Sequence, residues 1–134
     1  MKTHGVDLDR TTATYDGWVS EVDIGEPIGL MCSRIAAWFA AGDIVDVFTA
    51  RMHPSHGEES VANAEKAIRA WYRDVFGQEP REVTCMKNPK WDDIWDDAVI
   101  QVVPNSGVRV DGVPDYVDEV TTETVDGIGK FLGE

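Results

Sequence analysis

Short apolar segments alternate with amphipathic ones along this 134-residue chain, and this alternation constrains its fold more than any other feature. Residues 3 to 8 and Ile44–Phe48 are typical of strands, and residues 82 to 85 form a further extended run. Residues 98 to 103, AVIQVV, are apolar enough for a strand that is covered on both faces. The order favours an α/β fold with a mainly parallel sheet.

Two amphipathic segments separate these strands. The first opens at Pro27, and its apolar residues recur at spacings of three and four before Gly42, as on one face of a helix. The second follows a polar loop, carries its apolar face from Val61 to Val75 and stops at Gly77. Both patterns predict helices that pack against the sheet.

The length of the chain sets the expected number of domains. A chain of 134 residues can bury roughly two-thirds of its unfolded surface in one domain and is too short for two ordinary domains. We expect one domain over residues 1 to 134, with a core over 1 to 112. An acidic tail over 113 to 134 would cover or extend the sheet, most simply as an edge strand and a covering helix.

Composition argues against several classes of protein. The net charge of −13 argues against tight nucleic-acid binding, because such binding depends on clustered Lys and Arg side chains. No run approaches the roughly 20 apolar residues of a membrane span, and no leader pattern precedes the first strand. We therefore expect a cytoplasmic protein without membrane contact. Cys32 and Cys85 lie in unlike contexts, so we expect free thiols rather than a disulfide framework.

Polar side chains gather at the ends of the predicted strands. They are Asp7 and Asp9 after the first, Thr49 after the second, Lys87 after the third, and Asp96 and Asp97 immediately before the fourth. In a parallel sheet, functional groups collect at the carboxyl ends of the strands. Several carboxylates in one crevice repel one another unless a hard cation neutralises them, and Mg²⁺ accepts one or two carboxylates while keeping its waters. The sequence therefore predicts a magnesium site.

The motifs DLDRT, VFTAR, TCMKNP and IWDDAVIQVVPNSG, in that order, resemble the four motifs of the haloacid dehalogenase superfamily. More narrowly, DGW, GEPI, FTAR and WDD followed by VVPN are similar to segments of small phosphatase-like proteins of bacteria and their phages. The resemblance covers about residues 5 to 107, and the combination is more specific than any single motif. It implies a Rossmann-like three-layer core with helices on both faces, no large cap, and magnesium-dependent phosphatase activity.

The resemblance also implies a role for each motif residue. Asp7 would be the nucleophile that attacks phosphorus and becomes an aspartyl phosphate, and Asp9 would be the general acid and base. Thr49 would hold a phosphoryl oxygen, and Lys87 would balance the charge of the nucleophile and the phosphate. The Mg²⁺ ion would be bound by Asp7, Asp9 (through its backbone carbonyl), Asp96 and Asp97.

Two residues depart from the family pattern. Arg10 stands where most members have Gly, which tolerates backbone angles that other residues resist, and Thr12 stands where most have an apolar residue. Arg10 could impair turnover by altering this loop, or it could reach a substrate phosphate. We also expect Thr11 and Arg51 to contact substrate, with an Arg51 that is solvated or paired with Glu as the alternative.

The spacing of the motifs limits the substrate. The gaps from Asp9 to Thr49 and from Thr49 to Lys87 are 40 and 38 residues, which one helix and its loops fill, so no large cap fits. By family analogy such open sites act on nucleotides or nucleic-acid ends, and the acidic charge favours a small phosphate ester such as a nucleoside monophosphate. Tyr15 and Trp18 could stack on its base or sugar, or equally cover the sheet edge. A homo-oligomer could supply a cap in trans.

Two other functions stay open. One is a protein that binds a nucleotide or metal and has kept the fold without turnover, with Arg10 as the reason. The other is an acidic interaction module whose carboxylates face a basic partner, which the bulk charge favours. Metal-dependent turnover distinguishes the phosphatase from these two alternatives, because only a phosphatase forms product.

Overall fold

The computed structural model describes residues 1 to 114 of the chain. In chain order its elements are β1 (Thr3–Val6), α1 (Gly29–Ala40), β2 (Ile44–Phe48), α2 (Glu58–Phe76), β3 (Val83–Thr84) and β4 (Asp93–Trp95). Two short 3-10 turns, Ala50–Met52 and Pro54–His56, join β2 to α2. This alternation confirms the predicted α/β class.

The four strands form one all-parallel sheet in the order β3-β2-β1-β4. In the central strand β1, Val6 pairs with Val47 of β2 on one side and with Trp95 of β4 on the other. The chain steps in one direction from β1 through β2 to β3 and then returns across the sheet to β4. The strand order therefore reverses between β1 and β4, and such a switch point is where open parallel sheets bind ligands.

Both helices pack on one face of the sheet, because the two connections run in the same direction and parallel crossovers are right-handed. Phe39 of α1 meets Tyr72 of α2 edge-on, with 6.5 Å between ring centroids. Between them and the sheet lies a core formed chiefly by Val6, Leu8, Met31, Ile35, Val45, Val47, Ile68 and Tyr72. The parallel sheet flanked by helices is the predicted Rossmann-like arrangement, but the two helices of residues 1 to 114 share one face, where helices on both faces were predicted. No helix in residues 1 to 114 is long and apolar enough to cross a membrane.

The connection from β3 to β4 covers the opposite face of the sheet. Its Trp91 lies against Gly5, packs at 5.5 Å from Phe48 between ring centroids, and donates its indole N–H to Asp46 at 2.7 Å. Asp46 is fully buried and also accepts hydrogen bonds from Arg81. These contacts fix the connection to the sheet without a helix.

The fourth strand is not where its apolar pattern was predicted. The prediction of a strand over residues 98 to 103 was wrong: β4 is Asp93–Trp95, and Val99 and Ile100 are 58% and 59% exposed. Apolar composition does not distinguish a buried strand from an exposed segment, whereas Trp95 is fixed by packing 5.3 Å from Trp38, between ring centroids. Consequently Asp96 and Asp97 follow the fourth strand instead of preceding it.

The chain divides into two compact units, Met1–Asp97 and Ala98–Glu134. Within the described part of the second unit, residues 98 to 114, the chain turns back on itself, and the Val103 N–H donates to the Val108 carbonyl at 2.7 Å. The predicted acidic tail, with its edge strand and covering helix, lies almost entirely outside the described residues.

Candidate active site

Asp7 is the first residue after β1, and its backbone joins the ends of two strands. Its N–H donates to the Trp95 carbonyl at 2.8 Å, which brings Asp7 beside the two acids that follow β4. The hydroxyl of the buried Thr12 donates to the Asp7 carbonyl at 2.7 Å. The Asp7 side chain is thus presented from a fixed backbone at the switch point of the sheet.

Three carboxylates converge at this point. One carboxylate oxygen from each of Asp7, Asp96 and Asp97 lies within 4.8 Å of the others. The Thr11 hydroxyl lies 3.1 Å from the Asp7 carboxylate and 3.2 Å from that of Asp97, so it bridges the two. Three of the four predicted metal ligands therefore meet, and like charges at this separation repel one another strongly.

Asp7 and Asp97 differ in how readily they bind a proton. Burial raises the pKa of Asp7 to about 7, and the nearby charge of Asp96 adds to the effect. Burial also acts to raise the pKa of Asp97, but hydrogen bonds from Arg10 and Asp7 outweigh it, and the pKa lies below its ordinary value. At about pH 7 the Asp7 carboxyl group is therefore about half protonated, and a cation that displaced the proton would restore the ionised carboxylate.

Arg10 adopts a backbone conformation that favours glycine. Its φ is +68°, in the left-handed region, which is the angle that the family's usual Gly would permit. Its guanidinium pairs with Asp97, with Nε at 3.0 Å and Nη2 at 2.9 Å from the same oxygen. Arg10 therefore preserves the loop and places a positive charge against one of the three acids.

Asp9 is not part of this group of three acids and forms an ion pair of its own. Arg51, whose side chain is only 4% exposed, donates to both Asp9 oxygens at 2.9 Å and to the Glu21 carbonyl at 3.1 Å. Arg51 thus holds Asp9 in place and ties it to the segment before α1. A contact between Arg51 and substrate, and a metal contact from the Asp9 carbonyl, stay predictions.

Thr49 and Lys87 differ in how closely they join the site. Thr49 is buried at the end of β2, on the same sheet edge as Asp7, and its N–H donates to the Thr84 carbonyl at 2.8 Å. Lys87 lies exposed in the loop after β3, where it lines a separate cavity of about 220 Å³. Within residues 1 to 114, no hydrogen bond or ion pair joins Lys87 to the acids. Its charge-balancing role stays a prediction.

Sequence reasoning missed two features of the site. Thr12 was noted only as a departure from an apolar position, and that departure was the signal for its hydrogen bond to Asp7. The second is a cavity of about 320 Å³ formed by residues 14 to 25 with Arg51. Tyr15 and Trp18, which line it, were expected either to stack on a base or sugar or to cover the sheet edge, but the cavity itself could not be predicted because this segment has neither helical nor strand periodicity.

Comparisons with known proteins do not assign the chain to a family. No family model matches it, and no curated protein matches it. Among solved structures, a conserved protein coded by a locus of Bacteroides thetaiotaomicron is similar, with 18% sequence identity, coverage of 98% of this chain and 92% of that chain, and a TM-score of 0.49. Membership of the haloacid dehalogenase superfamily therefore stays a prediction from the sequence motifs.

Proposed function

We propose that this chain is a magnesium-dependent phosphomonoesterase in which Asp7 is the nucleophile. The observation that carries the proposal is the convergence of the Asp7, Asp96 and Asp97 carboxylates at the switch point of the sheet. Three ionised acids at this separation repel one another. A divalent cation bound among them would relieve that repulsion, as protonation of Asp7 and the Arg10 guanidinium do without an ion.

The donor set consists of hard oxygen ligands, which Mg²⁺ prefers, and its three carboxylates are one more than the one or two that this ion usually takes from a protein. Asp7, Asp96 and Asp97 would hold the ion. The pKa of Asp7 is raised in its absence, and a bound cation would favour the ionised form of this carboxyl group. When bound, the ion would supply positive charge that offsets the oxygens of the transferring phosphoryl group.

The reaction assigns separate tasks to Asp7 and Asp9. One Asp7 oxygen attacks phosphorus, the bond between phosphorus and the ester oxygen breaks, and Asp9 gives that oxygen a proton. Ionised Asp9 then takes a proton from water, whose oxygen attacks the aspartyl phosphate and releases inorganic phosphate and ionised Asp7. The ion pair with Arg51 keeps the Asp9 carboxylate in one orientation, but it also occupies both Asp9 oxygens with N–H donors, so Asp9 must first leave this pair and take up a proton in order to act as the general acid.

Thr49 and Lys87 complete the proposed site. The Thr49 side chain at the end of β2 would hold a phosphoryl oxygen, and the Lys87 ammonium would move in to balance its charge. The substrate we propose is a nucleotide or a related small phosphate ester in the cytoplasm, because the net charge of −13 disfavours long nucleic acid.

The first test is release of inorganic phosphate from a panel of nucleoside monophosphates and a chromogenic phosphate ester. We expect release in Mg²⁺, none after chelation, and none from Asp7→Asn. Removing the Asp7 charge also removes repulsion in the cluster, so Asp7→Asn should be at least as stable as the wild type at about pH 8. A matched control is Asp74→Asn, on the exposed side of α2, which should keep full activity.

Two results would contradict the proposal in different ways. Mg²⁺ binding without phosphate release from any ester would favour a binding protein that lacks turnover. Absence of both Mg²⁺ binding and release would favour the acidic interaction module. Release that persists in Asp7→Asn would remove Asp7 from the role of nucleophile while leaving a phosphatase.

One observation favours the binding protein as a second candidate. The Arg10 guanidinium occupies one face of Asp97, where it competes with a cation for the same carboxylate. A protein that held a nucleotide phosphate through Arg10, without turnover, would have this arrangement. Turnover that appears only in Arg10→Gly would support that reading.

A further inference from the structure

The segment between the Asp7 loop and α1 encloses the cavity of about 320 Å³ described above. Its lining includes Tyr15, Asp16, Trp18, Asp23, Gly25 and Arg51. The volume is at the lower end of the roughly 300 to 1,000 Å³ that small-molecule sites occupy. The cavity therefore suits a group of about one ring, and it is too small for a large or branched ligand.

Arg51 connects this cavity to the proposed site. The same guanidinium that lines the cavity donates to both oxygens of Asp9. In the proposed reaction Asp9 protonates the ester oxygen of the leaving alcohol, so that alcohol must lie next to Asp9. Arg51 lines the cavity and contacts Asp9, and this link is the reason for assigning the leaving group, and not the phosphoryl group, to the cavity.

The charges around the cavity determine what it admits. The positive charge of Arg51 is already offset by Asp9. Asp16 and Asp23 line the cavity as exposed carboxylates, and neither forms an ion pair with any residue from 1 to 114. The remaining charge is negative, so it repels a second phosphate, while carboxylate oxygens accept hydrogen bonds from hydroxyl groups.

Trp18 forms an ordered wall of the cavity. The Arg51 guanidinium carbon lies 5.3 Å from the centroid of the Trp18 ring, and the His56 ring stacks on it at 5.8 Å with an interplanar angle of 11°. These contacts hold the indole in position although it is half exposed. An apolar wall with acceptors beside it is a surface that suits a sugar ring, which has C–H faces and hydroxyl edges.

We propose that this cavity binds the alcohol portion of the substrate and takes a neutral, hydroxyl-bearing group the size of one sugar. Esters with a single phosphate are accepted, and substrates whose leaving group carries a second phosphate are rejected by Asp16 and Asp23. The location of the leaving group rests on the proposed function, whereas binding of such a group in the cavity is measurable without turnover.

The probes are ribose 5-phosphate and ribose 1,5-bisphosphate, which differ only in the second phosphate. Binding to Asp7→Asn, without added Mg²⁺, is followed by the NMR signal of the Trp18 indole N–H, assigned with Trp18→Phe. We expect the monophosphate to shift this signal and to bind roughly tenfold more tightly than the bisphosphate. When Asp16→Asn and Asp23→Asn are combined, the ratio of the two Kd values should fall below about threefold. Asp74→Asn should leave this ratio unchanged.

Salt separates a charge effect from a size effect. With Asp16 and Asp23 unchanged, the preference for ribose 5-phosphate over the bisphosphate should also become smaller in about 0.5 M NaCl. Salt screens the repulsion between exposed charges but does not change steric exclusion. A preference that survives both salt and the double substitution would overturn the role of Asp16 and Asp23. Absence of any Trp18 shift with either probe would overturn the cavity as a binding site.

The inference and the proposed function can fail separately. Phosphate release that depends on Asp7, combined with an unmoved Trp18 signal, would remove the cavity and keep the phosphatase. A shifted Trp18 signal in a protein that hydrolyses no ester would keep the cavity and remove the phosphatase.

Discussion

At the scale of single residues, Arg10 keeps the backbone conformation of the loop after Asp9 while its side chain adds a positive charge there. Its backbone takes the left-handed angle that the turn after Asp9 needs, at a cost of about 1–2 kcal/mol for a residue with a Cβ. Its side chain is 62% exposed and pairs with Asp97, and exposed ion pairs contribute at most about 1 kcal/mol. The strain is therefore only partly offset.

Replacing Arg10 by Gly should tighten Mg²⁺ binding while changing stability little. The positive charge beside Asp97 would be gone, so we expect Kd for Mg²⁺ to fall about fivefold to tenfold, measured by calorimetry. Relief of backbone strain should roughly cancel the lost ion pair and the greater unfolded-state entropy of Gly, leaving the free energy of unfolding within about 1 kcal/mol.

Arg10→Ala is the matched control for that substitution. It removes the charge but keeps the strained angle, so it should tighten Mg²⁺ binding to a similar extent and be less stable than Arg10→Gly by about 1 kcal/mol. If both variants bind Mg²⁺ as the wild type does, the guanidinium does not compete with the cation.

At the scale of elements, the return connection from β3 to β4 determines the position of the acids. The buried Asp46 carboxylate on β2 accepts from Trp91 and Arg81, and Trp91 lies directly on Gly5 of β1. A Cβ on Gly5 would be 2.4 Å from the Trp91 ring, closer than any real contact. β4 begins two residues after Trp91, so the packing on Gly5 sets where Asp96 and its neighbour emerge.

Gly5→Ala should therefore destabilise the protein by about 1–3 kcal/mol, the usual range for overpacking. The loss is measured as a shift in the midpoint of chemical unfolding. In a Trp91→Leu background the same substitution should cost less, because the smaller side chain leaves room for the methyl group. Equal costs in both backgrounds would show that Trp91 does not limit the space at Gly5.

At the scale of the whole molecule, the net charge of −13 and the three converging acids make stability depend on protons and cations. The folded-state pKa of Asp7 is raised from 3.8 to about 7, so between these values the folded state binds more protons than the unfolded state. The stability that the Asp7 proton contributes is complete below pH 3.8 and is lost as pH rises through about 7.

Magnesium should replace this proton, so its stabilising effect should depend on pH. At about pH 8, Mg²⁺ at roughly a hundred times its Kd should raise the free energy of unfolding by about 2.7 kcal/mol, and at about pH 5.5 by much less. Thermal unfolding with and without the ion measures both values. In Asp7→Asn most of the effect should vanish at both pH values, and equal stabilisation by Mg²⁺ at the two pH values in the wild type would exclude Asp7 as a ligand.

The sequence by itself determined the α/β class, the two helices and the first two strands, because those elements follow local periodicity and propensity. The resemblance of its motifs to those of the haloacid dehalogenase superfamily also indicated Asp7, Asp96 and Asp97 as neighbours, whereas the predicted fourth strand would have placed Asp96 and Asp97 at its amino end, at the opposite edge of the sheet from Asp7. The class, the helices and the first strands could be predicted because they depend on nearby residues.

Only the tertiary structure decided the rest. β4 is three residues within an acidic segment, and its place is set by Trp95 against Trp38 and by the return connection, not by its own apolar content. The Arg51 pair with Asp9 and the cavity beside it join residues about 40 positions apart. Contacts at such separations leave no periodic pattern in the chain, because they arise only when the sheet and its loops are assembled.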